Sequence, residues 1–300
     1  MDRARLLTPQ ALAFLERAIG ARPDQITDVE AARSGMTNRS FRFFFDGERY
    51  FLRVPGEGTD KLINRRQEAA VYRALRGDPI SDDLVLLDPD SGYKLTRYWD
   101  NVRNCDPENE EEVRACMALL RQFHAMALQV PHEIRIYEEI DFYETLRQGP
   151  SEYPDYEAVK DRCLRLRPFL ERQARTTILT HFDAVPDNFL FVPGPEGQTL
   201  HLIDWEYAGM FDPHMDISMF AIYAGYDRAR FDRLMDWYFE EPCSRTMRLK
   251  LYAYAALGGL LWSNWCEYKK VLGVDFGDYA RSQYRYAVDY SRLVLEETNQ

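Results

Sequence analysis

The sequence predicts an α+β fold in two lobes, β-rich over residues 1–97 and mainly helical over residues 98–300. Three observations carry that prediction. Two short β-type runs, residues 40–45 and 49–54, flank the pair Asp46-Gly47, the signature of a tight hairpin. Beyond Trp99 the apolar residues recur with a helical period, as at Val113, Met117, Leu120 and His124. A second β-like stretch, residues 178–205, then interrupts the helical part before residues 217–300 return to helix.

In chain order, an amphipathic helix is expected over residues 10–19, just after Thr8-Pro9. Residues 32–38 are small and polar and read as a loop. After the hairpin come a helix over 63–75 and strands over 84–87 and 93–98, which places a hinge near 96–99. A helix over 110–128 opens the second lobe. Within the later β-like stretch, turns are expected at Pro193-Gly194 and Glu196-Gly197. Two lobes of this kind create a cleft, the usual seat of a small-molecule site.

Composition narrows the function. With 46% hydrophobic and 14% aromatic residues, the 300-residue chain has ample material for a core, which excludes wholesale disorder. A formal net charge of −11 argues against a nucleic-acid or anionic-membrane binder, since either needs a basic footprint. The 5 cysteines are scattered without a Cys-x-x-Cys pair, so reduced thiols are expected rather than a disulfide framework or a zinc site. The N-terminal residues do not read as a signal peptide, and the apolar run 251–262 is too short to span a bilayer. A cytoplasmic protein without membrane insertion is expected.

The chemistry concentrates in Thr180-His181-Phe182-Asp183-Ala184-Val185-Pro186-Asp187-Asn188, of the form His-x-Asp-x-x-x-x-Asn, followed by Asp204 in His201-Leu202-Ile203-Asp204-Trp205. Phosphoryl transfer needs a carboxylate to orient the attacking hydroxyl and take its proton, and oxygen ligands to hold Mg²⁺ on the phosphates. Asp183 suits the first role; Asn188 and Asp204 suit the second. Each of these residues alone is equally at home in an ordinary turn, so the pattern counts only as a whole.

These motifs resemble the choline/ethanolamine kinase family within the aminoglycoside phosphotransferase superfamily, over nearly the whole chain. The resemblance implies a protein-kinase-like fold, ATP as co-substrate and Mg²⁺ as cofactor. It places Ser34, Gly35, Met36, Thr37 and Asn38 in a phosphate loop, although with one glycine this segment matches neither Gly-x-Gly-x-x-Gly nor a Walker sequence. It sets Arg53 in the place of the strand lysine of protein kinases, contacting nucleotide phosphates, with Glu68 as ion-pair partner. Without the resemblance, Arg53 reads as a surface arginine on an edge strand.

For the acceptor, Leu261-Trp262-Ser263-Asn264-Trp265 and Phe276-Gly277-Asp278-Tyr279 are similar to the choline-binding segment of choline kinases. The resemblance implies an aromatic box of Trp262, Trp265 and Tyr279, fit for a quaternary ammonium that has no hydrogen to donate. Tryptophans three apart on a helix are otherwise core residues. Glu206 is the first candidate for the accompanying carboxylate. Asp216 is read as a brace for the catalytic loop, and residues 217–223, Ile-Ser-Met-Phe-Ala-Ile-Tyr, contain no acid. His181 reads as support for the loop and His124 as a packed core residue, while His132, His201 and His214 show no metal-ligand spacing. Rival readings are a kinase of ethanolamine, an aminoglycoside or another small alcohol, and a catalytically inactive nucleotide-binding protein. Retention of Asp183, Asn188 and Asp204 together argues against the last. Protein substrates are not expected, since the sequence has no activation segment running from Asp-Phe-Gly to Ala-Pro-Glu.

Overall fold

The computed structural model describes residues 6–32, 38–56, 59, 62–195 and 197–298. It divides into two compact units, Met1–Asn104 with Leu190–Tyr207, and Cys105–Phe189 with Ala208–Gln300. The boundary expected at 97/98 therefore falls inside the first unit, and the chain returns to that unit for much of the second β-like stretch.

In the first unit, helix α1 (Pro9–Ile19) starts at Thr8, whose hydroxyl accepts from the Ala11 amide, and ends at Gly20 in the left-handed conformation, φ 69°. It buries Ala11, Phe14 and Leu15 in a core shared with Val29, Phe41, Phe43, Tyr50, Leu52 and Leu95. That core lies on one face of an antiparallel sheet made of β1 (Thr27–Ala32), β2 (Arg39–Phe45), β3 (Glu48–Val54), β4 (Leu84–Leu87) and β5 (Lys94–Arg97), in the order β1-β2-β3-β5-β4. The β2–β3 turn has positive φ at both central residues, Asp46 (48°) and Gly47 (82°), as a two-residue hairpin requires.

Sequence reading missed β1. Its segment Thr-Asp-Val-Glu-Ala-Ala has one core residue, Val29, and a register break between Thr27 and Glu30, so it shows no apolar alternation. Helix α2 (Arg65–Ala74) is capped by Asn64, which accepts from the Arg66 and Gln67 amides. Strand β6 (Arg103–Asn104) pairs with β8 (Phe189–Gly194), and β8 with β9 (Gly197–Leu202), which ties residues 190–207 to the first unit. Pro193-Gly194 closes β8 instead of forming a turn of its own.

The second unit contains α3 (Glu110–Ala125), α4 (Ile136–Arg147), α5 (Tyr156–Arg165), α6 (Arg167–Glu171), the antiparallel pair β7 (Ile178–Thr180) and β10 (Gly209–Phe211), then α7 (His214–Tyr223), α8 (Arg228–Phe239), α9 (Arg245–Val271) and α10 (Asp278–Thr298). From Leu249 to Lys269 every residue of α9 is buried, so this helix is the core of the unit and not a membrane span. Among the described residues no helix is long and apolar enough to cross a membrane. Gly259 lets α10 approach closely: a Cβ there would stand 2.5 Å from the Gln283 carbonyl oxygen. Because that neighbour is backbone, Gly259→Ala is expected to lose about 1–3 kcal/mol of stability by overpacking. An unchanged melting temperature would show that α10 gives way freely.

Candidate active site

The segment after β7 forms the candidate catalytic loop. Asp216, fully buried at the start of α7, accepts from the Phe182 amide at 2.7 Å, the His181 amide at 2.9 Å and His124 Nε2 at 3.0 Å. Donation from Nε2 leaves His124 Nδ1 to accept from the Tyr238 hydroxyl at 2.8 Å. One carboxylate thus pins two successive amides, the brace expected of Asp216, and the core histidine takes part in it. His181 Nδ1 in turn accepts from the Asp183 amide at 3.2 Å. The brace holds Phe182 at φ 66°, a left-handed conformation unfavourable for a bulky residue, and this kink precedes Asp183.

Asp183 and Asn188 are brought together by a 3₁₀ turn over Pro186–Asn188. The Asn188 amide nitrogen donates to the Asp183 carbonyl at 2.8 Å and to its Oδ2 at 3.1 Å. With both of its hydrogens directed at Asp183, the side-chain oxygen is the atom Asn188 can offer a cation. That hard oxygen, like the Asp204 carboxylate, fits Mg²⁺, which fills its remaining positions with water and phosphate.

In the first unit, Arg53 lies on β3, an interior strand rather than an edge, on the face opposite Leu52. It is 4% exposed, and its Nη2 meets Glu68 at 2.6 Å, the partner expected. Arg53 Nη1 lies 3.2 Å from Glu206 and 3.4 Å from Asp204. Arg65 closes a ring, with Nη1 3.2 Å from Glu68 and 3.0 Å from Glu206. Two buried guanidinium groups therefore alternate with two buried carboxylates. Glu206 also accepts from Asn38 at 3.2 Å. Burial opposes its charge, but Arg53 and then Arg65 outweigh that and hold its carboxyl below the usual range. Asp204, at φ 67°, moves the other way: loss of hydration and then the Glu206 charge push it up to about 6.

This ring corrects the expectation for Glu206. A carboxylate shared by two guanidinium groups has little field left for an acceptor's ammonium, so its place is with Arg53. Ser34, Gly35, Met36 and Thr37 lie outside the described residues. Sequence reading gave no role to Arg65 or to Lys94, a buried strand lysine 2.8 Å from Asp82. The i, i+3 spacing of Arg65 and Glu68 was a usable signal for the former.

The second unit also gathers the aromatic residues. Trp262 and Trp265 pack edge to face at 5.9 Å, Trp265 meets Phe276 at 5.0 Å, Phe276 meets Tyr279 at 6.3 Å, and Tyr279 meets Tyr223 at 5.6 Å. The two tryptophans are buried, and the Lys269 ammonium stands 5.6 Å over Trp265; Phe276, Tyr279 and Tyr223 are half-buried. The Tyr223 hydroxyl donates to Asp187, on the catalytic loop. The box expected from Trp262, Trp265 and Tyr279 is thus one continuous cluster, extended by two rings to which sequence reading gave no role.

Residues 28–254 match the model of the Phosphotransferase enzyme family, abbreviated APH. The chain belongs to that family. Choline kinase LicA from Streptococcus pneumoniae is 27% identical, with a TM-score of 0.80 over 94% of this chain and 97% of that one. A structure of LicA in complex with AMP is 29% identical, with a TM-score of 0.78 over 90% and 92% of the two chains. Protein LicA of Haemophilus influenzae is 28% identical over 284 residues, 87% of this phosphotransferase and 99% of the relative. The kinase-like α+β fold expected from the sequence is borne out by these structures.

Proposed function

We propose that this phosphotransferase is a Mg²⁺- and ATP-dependent choline kinase, moving the γ-phosphoryl group in line to the primary hydroxyl of choline. The observation that carries the reading is the aromatic cluster running from α9 through Tyr279 and Tyr223 to the loop of Asp183 and Asn188 within one unit. Quaternary ammonium groups are recognised by such ring faces, and a hydroxyl by such a carboxylate. Phe276, Tyr279 and Tyr223 offer the open faces, with Trp262 and Trp265 as their buried floor. Asp183 orients the hydroxyl and accepts its proton. Asn188 and Asp204 are the residues that would offer oxygens to the metal, which would neutralise phosphate charge. Arg53, fixed by Glu68, adds positive charge for the phosphates. The kinship with a choline kinase, and with a relative solved with AMP, supports the same reading. The five cysteines are all free, which fits the reducing cytoplasm.

The deciding experiment measures ATP consumption by the purified protein with choline, ethanolamine, an aminoglycoside panel and simple sugars. Saturable turnover with choline well above ethanolamine is expected. Preference for another alcohol would overturn choline and keep the kinase chemistry.

A second expectation concerns pH. Because the Asp204 carboxyl is raised to about 6, Mg²⁺ must displace a proton from it in more acidic solution. The Mg²⁺ concentration for half-maximal activity should be level above that pH and rise by up to about tenfold per pH unit below it. A flat requirement from pH 7.5 to about 5 would remove Asp204 from the metal site.

A further inference from the structure

We propose that Asp187, held by the Tyr223 hydroxyl, supplies the negative charge that recognises the acceptor's ammonium group. The inference deepens the choline reading and rests on it for the identity of the acceptor. It fills the place for which Glu206 was the first candidate.

Asp183, Asp187, Tyr223 and Tyr279 all belong to the second unit. Tyr223 closes α7, at the end of a segment without an acidic residue, and its hydroxyl donates to the Asp187 carboxylate. A phenol fixes a carboxylate without neutralising it. The Tyr223 ring meets Tyr279 at 5.6 Å and 63°, and both rings are half-buried, so each keeps surface for a ligand. Burial raises both phenols; Asp187 and Asp183 add to it at Tyr223, and Cys266, Asp183, Tyr223 and Asp187 at Tyr279, so both rings lie near the two acids. Asp187 itself is exposed. A cation at these ring faces would gain from the ring quadrupole and from a carboxylate beside it.

Among the described residues, the three buried carboxylates of this unit, Glu267, Asp212 and Asp216, hold cations or amides. Glu267 binds Arg147, the Ser151 hydroxyl and the Glu152 amide. Asp212 binds Lys250, and Asp216 braces the loop. Asp183 and Asp187 stand four residues apart on one loop, so that loop can address both the hydroxyl and the ammonium of a short amino alcohol.

The test compares choline with dimethylbutanol, its uncharged carbon isostere, in the wild type and in Asp187→Asn, Asp187→Glu and Tyr223→Phe. Asp187→Asn is expected to raise the KM for choline about tenfold or more, and to leave those for dimethylbutanol and ATP within about twofold. Asp187→Glu should recover most of the choline affinity, and Tyr223→Phe should show a smaller loss confined to choline. An unchanged choline KM, or equal weakening of both alcohols, would overturn the assignment, the latter revealing a structural role. If the wild type does not phosphorylate choline, the choline reading fails by itself, and calorimetric titration with tetramethylammonium decides Asp187. Weaker binding by Asp187→Asn keeps the charge assignment; equal affinity, or binding to neither protein, ends it.

Discussion

Asp183→Asn is expected to lower kcat by about two to four orders of magnitude while the KM for ATP stays within about threefold. The amide keeps an oxygen that can accept from Asn188, so the local hydrogen bond and the 3₁₀ turn need not change. It cannot take up the proton that leaves the alcohol. The loss should therefore appear in turnover and not in nucleotide binding or melting temperature. Activity within tenfold of the wild type would mean that the alcohol loses its proton elsewhere, and would overturn Asp183 as the orienting base.

Arg53→Ala is expected to be the most destabilising single change in the first unit. Arg53 and Arg65 balance Glu68 and Glu206 in a ring of side chains no more than 8% exposed. Deleting one cation leaves an uncompensated buried negative charge, which costs about 3–5 kcal/mol where a buried pair is broken from one side. The companion Arg53→Met with Glu206→Gln removes one charge of each sign, and should recover a substantial part of that loss. Chemical denaturation of the wild type, Arg53→Met, Glu206→Gln and the double variant closes the cycle and gives the coupling directly. A loss below about 1 kcal/mol for Arg53→Ala would mean that the ring is solvated and not a closed unit.

Much of this was legible in the sequence, for identifiable reasons. The Asp46-Gly47 turn, the flanking strands and the helical half follow local rules of backbone conformation and periodicity. The pairing of Arg53 with Glu68 and the bracing role of Asp216 came from motif resemblance, and the geometry bears out both contacts. What was not legible depends on chain segments far apart. β1 is recognisable only by its partner β2, since its own residues do not alternate. Glu206 looked available for a ligand because its two arginine partners lie 153 and 141 positions away. Tyr223 looked like ordinary helix filling until its hydroxyl was seen on Asp187, 36 positions back. Local pattern reveals elements; the long-range pairing of charges and phenols requires the fold.

The two-segment build of the first unit has a consequence for synthesis on the ribosome. Arg53, Arg65 and Glu68 all emerge early, but Glu206 belongs to the segment Leu190–Tyr207, made after the whole of Cys105–Phe189. At ordinary translation rates of roughly 5–20 residues per second, on the order of ten seconds separates the two halves of the ring. Throughout that interval the nascent N-terminal sheet has two guanidinium groups and a single carboxylate at the site it must later bury. The excess positive charge disfavours closure of this region until Glu206 arrives, so the order of emergence itself delays its compaction.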